Sequence, residues 1–460
     1  MPTLRTSKRI RDAVHGLIVF DQSKKIEKLA WDLIGTREFQ RLRRIRQLGV
    51  SEFTFPSAVH TRFVHSVGVF HVARKLTDIL RRELENDFDD SRAEVALIAA
   101  LLHDLGHGPF SHTFESVQKS RGVSKRHEKW TADLIRNPNG EIQPLLEGFR
   151  EGFTELVAGL LEAESPLDIY HAVVSSSFDA DRLDYLQRDR LMTGSGAGAI
   201  DFDWLVDNLR VADVSLEAPY EDEEDDLKVP TFCLTMKALP AAEQFLLARH
   251  TLHEQVYYHK TTRCAEKMIG KLLHRIAEIA KADINIDIET GLTSNHPLIQ
   301  FFKGNCDDAN TYLNLDDTVI LGSLPLMSHA NDKVIQDISK RIQERRLYKT
   351  LDVGEVGTDP GAQRQRTRNI ENHFQQAIQD GAVIKDDQAT LTIYSTIGGD
   401  EEKIHKRLHI LDASKPKEIS DISPMIKALS NKQMPIRFFF ENKEDRDSAR
   451  SIRRERHARP

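Results

Sequence analysis

A chain of 460 residues, 40% hydrophobic and 29% charged, has the make-up of a folded protein with room for one large domain or two to three ordinary ones; disorder is excluded as its default state. With 64 Lys and Arg against 71 Asp and Glu the formal charge is −7, so no global positive field advertises a nucleic-acid or membrane partner, and an anionic substrate must be met by a local patch. Three scattered cysteines, Cys233, Cys264 and Cys306, exclude a disulfide framework or a thiolate metal site and fit a reducing cytosol.

The first sixteen residues, MPTLRTSKRIRDAVHG, are positively charged but lack an apolar core of signal-peptide length. No later run approaches the ~18 apolar residues that span a bilayer, so a cytoplasmic protein is expected. From Ser23 to about residue 290, apolar residues recur at three-to-four spacing in 26–34, 62–84, 93–106, 153–163 and 241–280, which predicts a helical core. Gly/Pro/Asn-rich stretches at 106–112, 137–140 and 194–198 read as loops able to carry site residues. The acidic run 221–226 lies between strand-like 209–216 and 229–236 and reads as a solvated hairpin tip. Beyond about residue 310 a helix over 333–351 is followed by alternating stretches 390–397, 406–413 and 435–442, which suggest a smaller α+β region. The basic, apolar-poor residues 446–460 read as a frayed tail.

Histidine is the unusual component: nineteen residues, seven of them at positions 60, 65, 71, 103, 107, 112 and 127. His103 and Asp104 end a strongly apolar helix just before a glycine-broken loop. Imidazole and carboxylate together suit a divalent transition metal, with His65 and Asp181 as candidates for the remaining ligands. Arg62 precedes His65 by three residues on the same helix face, a cation beside a ligand, as a docked phosphate requires. Asp181, Tyr185 and Asp189 recur every four residues, so a helix aligns carboxylate, phenol and carboxylate in one row. Taken singly, His65 also reads as a hydrogen-bonded core histidine, and a helix C-terminus attracts His103 through its dipole. The residues alone leave the metal and structural readings open.

The strings 12-DAVHG-16, 39-FQRLRRIRQLG-49, 60-HTRFVHSVGV-69, 99-AALLHDLGHGPFSHTFE-115, 127-HE-128, 181-DRLDYLQRD-189 and 252-LHEQVYYHK-260 keep their order over residues 10 to 350. In this the chain resembles the HD-domain deoxynucleoside triphosphate triphosphohydrolases. The resemblance implies a mainly α fold: an N-terminal segment 1–50 with regulatory residues, an HD core 51–310, an α+β region 311–445 and the basic tail 446–460. It implies a divalent metal, its identity open among Mg, Mn, Fe, Zn and Ni, held by His65, His103, Asp104 and Asp181. The catalytic histidines match His112, paired with Glu115, and His127. Substrate contacts match Gln47, Leu48, Arg62, His107, Arg182, Tyr185, Asp189, Arg249 and Lys260, with His253 and Tyr257 on the base side. Arg182 stands where eukaryotic members have lysine. The implied reaction is release of tripolyphosphate from a dNTP, with His112 protonating the departing 5′-oxygen as an imidazole can.

Members activated by a guanine nucleotide read that base with an aspartate where this chain has Gly35, whereas Arg43, Arg345 and Lys349 keep the basic side of the regulatory site. A dNTP activator and a homotetramer or dimer are therefore expected, without guanine specificity. The alternatives are a phosphodiesterase or exonuclease acting on nucleic acid, favoured by the Arg-rich tail and opposed by the net charge, and a non-hydrolytic nucleotide sensor. Control of dNTP pools and antiphage defence both use such chemistry.

Overall fold

Helices dominate the computed structural model of the protein, which describes residues 7–165, 168–196, 198–215, 228–304, 308–354, 359–387, 407–413, 415–428 and 435–452. The fold class is mainly α, with three small sheets among the described residues. The chain opens on a hairpin that helical periodicity does not reveal, Ser7–Asp12 against Gly16–Asp21. The Asp12 side chain accepts from the Val14 and His15 amides at 2.8 and 2.9 Å and shapes its turn, and Gly16 takes the left-handed conformation the turn needs (φ 70°).

Three helices frame the site. Arg62–Leu84 packs against Asp90–Leu102 and against Ala180–Thr193. Every residue from Val95 to Leu102 is buried, as expected of a helix that is apolar all round. Asp89 caps the second helix through the Ser91 and Arg92 amides; Asp179 caps the third through the Arg182 amide, and Gly194 ends it at φ 67°. His103 and Asp104 are thus delivered at the end of a rod whose position burial fixes.

The 241–280 run is two helices, Leu239–Leu252 and Lys260–Ala282. Between them His253–Tyr257 widens into a π-turn, and the His259 side chain accepts from the Thr261 amide to start the second helix. The expected 333–351 helix also ends early, at Gln343: Arg345 turns left-handed (φ 53°) and the chain enters the strand Lys349–Asp352. The strands expected at 209–216 and 229–236 form an antiparallel pair, Leu209–Ser215 with Lys228–Thr235; the acidic tip between them, the 390–397 stretch and Cys306 lie outside the described residues. Within 446–460, the described part is not frayed: Lys443–Ser451 is a helix with Ala449 buried against the last sheet.

Lys228–Thr235 pairs in parallel with His409–Asp412, so one four-stranded sheet draws strands from both sides of residue 311. A three-stranded antiparallel sheet has Arg437–Phe440 between Lys349–Asp352 and Val383–Asp386. One large apolar core lies under the framing helices and a second surrounds Lys260–Ala282. Among the described residues no helix is long and apolar enough to cross a membrane.

Candidate metal centre and active site

His65, His103 and Asp181 each offer a donor atom within 4.8 Å of the others. His65 Nε2 lies 3.0 Å from Asp181 Oδ1 and 3.8 Å from Asp104 Oδ2; His103 Nε2 lies 3.3 Å from Asp104 Oδ1 and 3.8 Å from Asp181 Oδ1. Each imidazole spends its other nitrogen as a donor: His65 Nδ1 to Asp184 at 2.8 Å and His103 Nδ1 to the Ala100 carbonyl at 2.9 Å. Both Nε2 atoms are buried without a hydrogen-bond partner. Two orphaned imidazole nitrogens converging on two carboxylates are the donor set a divalent transition metal takes, with the tautomers already set by hydrogen bonds behind them. Burial opposes charge on His65, but Asp181 and Asp184 outweigh it and lift its pKa to about 10. Burial likewise opposes charge on Asp104, yet Arg62, His103 and His107 hold its carboxyl well below the usual range.

Behind His65 stands a network that sequence reasoning missed. Arg188 donates from Nε and Nη2 to the two Asp184 oxygens, both at 2.8 Å, and from Nη1 to Asp12 at 2.8 Å. His15 Nε2 donates to Asp184 at 2.6 Å. Asp184 and Arg188 are buried, so each charge depends on the other. Gly68 makes the room: a Cβ there would lie 2.0 Å from Asp184 Oδ1 and 2.3 Å from Arg188 Nη2. The available signals were the i,i+4 spacing of Asp184 and Arg188 and the 12-DAVHG-16 string, which supplies both Asp12 and His15.

The 103–112 loop is pinned from several sides. Gly106 donates to Thr131 Oγ1 at 2.9 Å and its carbonyl accepts from the Tyr312 hydroxyl at 2.7 Å; a Cβ at Gly106 would meet the His127 carbonyl oxygen at 2.1 Å. Phe110 and Ser111 are consecutive residues with positive φ (52° and 51°). Buried Asp317 holds this turn, accepting from the Phe110 amide at 2.7 Å with one oxygen and from the Arg46 amide at 2.8 Å with the other. The turn exposes His112, the first residue of His112–Ser120. Glu115 Oε2 lies 3.6 Å from His112 Nδ1 and 3.3 Å from His127 Nδ1, and these two histidines hold its carboxyl well below the usual range. His107 stacks on His127 at 4.0 Å between centroids, and burial with Arg62 nearby pushes the His107 imidazole well below its usual range.

One cavity of about 1740 Å³ is lined by Gln47, Leu48, Arg62, His103, Asp104, His107, His112, His127, Asp181, Arg182, Tyr185, Asp189, His253 and Tyr257, so most of the expected residues share it. Arg62 donates to Asp104 at 2.6 Å and to Ser111 Oγ at 3.0 Å. Arg182 is engaged by Asp179 and the Ser176 carbonyl. Gln47 Oε1 is buried without a partner. Asp189 accepts from His60 at 2.8 Å and from the Tyr257 hydroxyl at 2.7 Å, which gives His60 a place the sequence did not suggest. Burial, with Arg249 second, pushes His253 down to about 3. Arg249 is not a lining residue but sits within electrostatic reach of Tyr185 and Arg182. Lys260 departs from expectation: it is exposed at the start of its helix and does not line the cavity, because the π-turn before it redirects the chain. Arg43 lies over the Phe63 ring at 3.5 Å, Arg345 donates to the Phe53 carbonyl at 2.6 Å, and Lys349 begins a strand; none of the three lines the cavity.

Residues 62–187 match the HD domain family and residues 224–288 the HD associated region. The uncharacterized protein YwfO of Bacillus subtilis is 32% identical over 412 residues, covering 88% of this chain and 87% of that protein. A protein of Dictyostelium discoideum described as a deoxynucleoside triphosphate triphosphohydrolase SAMHD1 homolog is 29% identical over 77% of this chain, which spans 62% of its length. The crystal structure of a phosphohydrolase from Bacteroides thetaiotaomicron superposes with a TM-score of 0.73 at 27% identity, covering 95% of this chain and 100% of that one.

Proposed function

This chain belongs to the HD-domain, dNTPase-like family of phosphohydrolases, and from that premise we propose that it hydrolyses dNTPs to deoxynucleoside and tripolyphosphate. The observation that carries the reading is the meeting in one cavity of His103, Asp104 and Asp181, backed by buried His65, with Arg62 and the Gln47, Tyr185 and Asp189 group. The first four residues would hold a divalent ion, which supplies Lewis-acid stabilisation of charge developing at phosphorus. Arg62, fixed by Asp104 and Ser111, offers its guanidinium to phosphate oxygens, and Arg182 with Arg249 adds charge farther along. Orphaned Gln47 Oε1 and doubly held Asp189 are acceptors suited to a sugar hydroxyl, with the Tyr185 ring as a wall beside them. Water adds to the α-phosphorus as its bond to the 5′-oxygen breaks; His112, turned by Glu115, delivers a proton to the departing 5′-oxygen, and His127 shares that carboxylate.

Each of the four dNTPs, singly and in pairs, is incubated with protein reconstituted with Mg²⁺ or Mn²⁺, and products are separated chromatographically. Deoxynucleoside and tripolyphosphate are expected. Intact nucleotides from metal-loaded protein overturn the reading, and cleavage of single-stranded DNA in their place moves the reaction to phosphodiesters. The basic group Arg43, Arg345 and Lys349, off the cavity, would take an activating nucleotide between subunits. Light scattering with and without dNTP tests this: a monomer under both conditions excludes it.

A further inference from the structure

We infer that His112, Glu115 and His127 form a second transition-metal site, suited to zinc, whose occupancy blocks the reaction. The binding half stands by itself; the blocking half rests on the proposed triphosphohydrolase reading. Each of the three residues offers a donor atom, and the three atoms lie within 4.8 Å of one another. Both nitrogens address the same oxygen, at 3.6 and 3.3 Å. In a tetrahedral zinc site with bonds of roughly 2.0–2.2 Å, neighbouring donors stand about 3.3–3.6 Å apart. Both nitrogen-to-oxygen separations therefore match the edge of one coordination polyhedron. The longer separation, 3.6 Å, exceeds a normal hydrogen bond and suits two ligands of a shared ion.

Two imidazoles and a carboxylate are also the ligand chemistry of open zinc sites, which leave a fourth position to solvent. The His112 side chain is 78% exposed, so an ion enters from the cavity without opening the fold. His127 is less free: its ring is stacked on buried His107, and Glu128 Oε2 at 3.5 Å brings a second carboxylate to Nδ1. No residue belongs both to this trio and to the His65, His103 and Asp181 group. Zinc on Nδ1 of His112 takes the carboxylate that turns the ring and prevents the imidazolium from forming. The proton for the leaving oxygen is then lost.

Zinc is titrated into the full chain carrying His103→Ala and Asp104→Ala, which disables the first site, with binding followed by calorimetry and by elemental analysis after gel filtration. One equivalent is expected, and none after further replacement by Glu115→Gln and His127→Ala. Less than one in the first variant, or one retained in the second, overturns the site. Should the first variant not fold, two zinc ions per wild-type chain against one in Glu115→Gln give the same decision. In the Mn²⁺-loaded enzyme, stoichiometric zinc is expected to lower dNTP turnover about 100-fold, the scale of lost proton donation, and excess Mn²⁺ with a zinc chelator restores it. Unchanged turnover with zinc bound overturns the block. If no dNTP is hydrolysed at all, the proposed reaction fails and the binding experiment still decides the site.

Discussion

The pair His65 and His103 and the pair His112 and His127 are the same side chain under opposite constraints. The first pair is largely enclosed, each Nδ1 committed to a fixed acceptor and each Nε2 left as an unpaired donor atom. The second pair shares one carboxylate at looser distances, and His112 stands mostly in solvent. The ligands of a resident catalytic metal must not move, so their surroundings are over-determined; a proton donor must meet water and a leaving group, so its surroundings are left open, and an adventitious ion can enter there. The contrast is paid for in buried charge: Asp184, Arg188 and Asp12 serve only the enclosed side.

Replacing His103 by alanine tests the enclosed side most severely. Turnover is expected to fall by about 10³-fold together with loss of bound metal, measured by elemental analysis; retained metal would make the two sides equivalent. His112→Ala is expected to cut turnover about 10²-fold while metal at the enclosed site stays, and lost metal would break the division of labour. Asp184→Asn sharpens it: with no direct contact to the cavity, it should weaken metal affinity about 10- to 100-fold by calorimetry, because the His65 ring loses its anchor.

The smallest effect concerns Asp317. Burial pushes its carboxyl up to about 6 in spite of the Phe110 and Arg46 amides. Its folded pKa thus lies above its unfolded one, so its contribution to stability is full below about pH 4 and fades as pH rises through 6. The wild-type advantage over Asp317→Asn should therefore shrink by about 1–3 kcal/mol between pH 4.5 and 7.5 in paired melts; a constant difference shows the carboxyl titrates normally.

Periodicity made the framing helices legible because their faces are buried continuously, and the Asp181, Tyr185, Asp189 row comes directly from helical geometry. The breaks were less visible. The π-turn at His253–Tyr257 keeps the helical spacing of apolar residues while rotating the next helix, so an unbroken helix would carry Lys260 into the cavity and the real one does not. The opening hairpin is short and polar on one face, and its worth lies in delivering Asp12 and His15 to a partner about 170 residues away, a relation no local pattern carries. Asp317 likewise acts through backbone amides, which have no signature in side-chain chemistry.

The two residues of positive φ before His112 have a consequence for variation. Phe110 and Ser111 each hold a conformation that costs an L-residue about 1–2 kcal/mol. A library selected for thermal survival alone would drift toward glycine at these positions, where that cost vanishes. One selected for turnover would resist the drift, since a relaxed turn presents His112 in many directions. Disagreement between the two selections at positions 110 and 111 would measure how far this protein trades durability for aim.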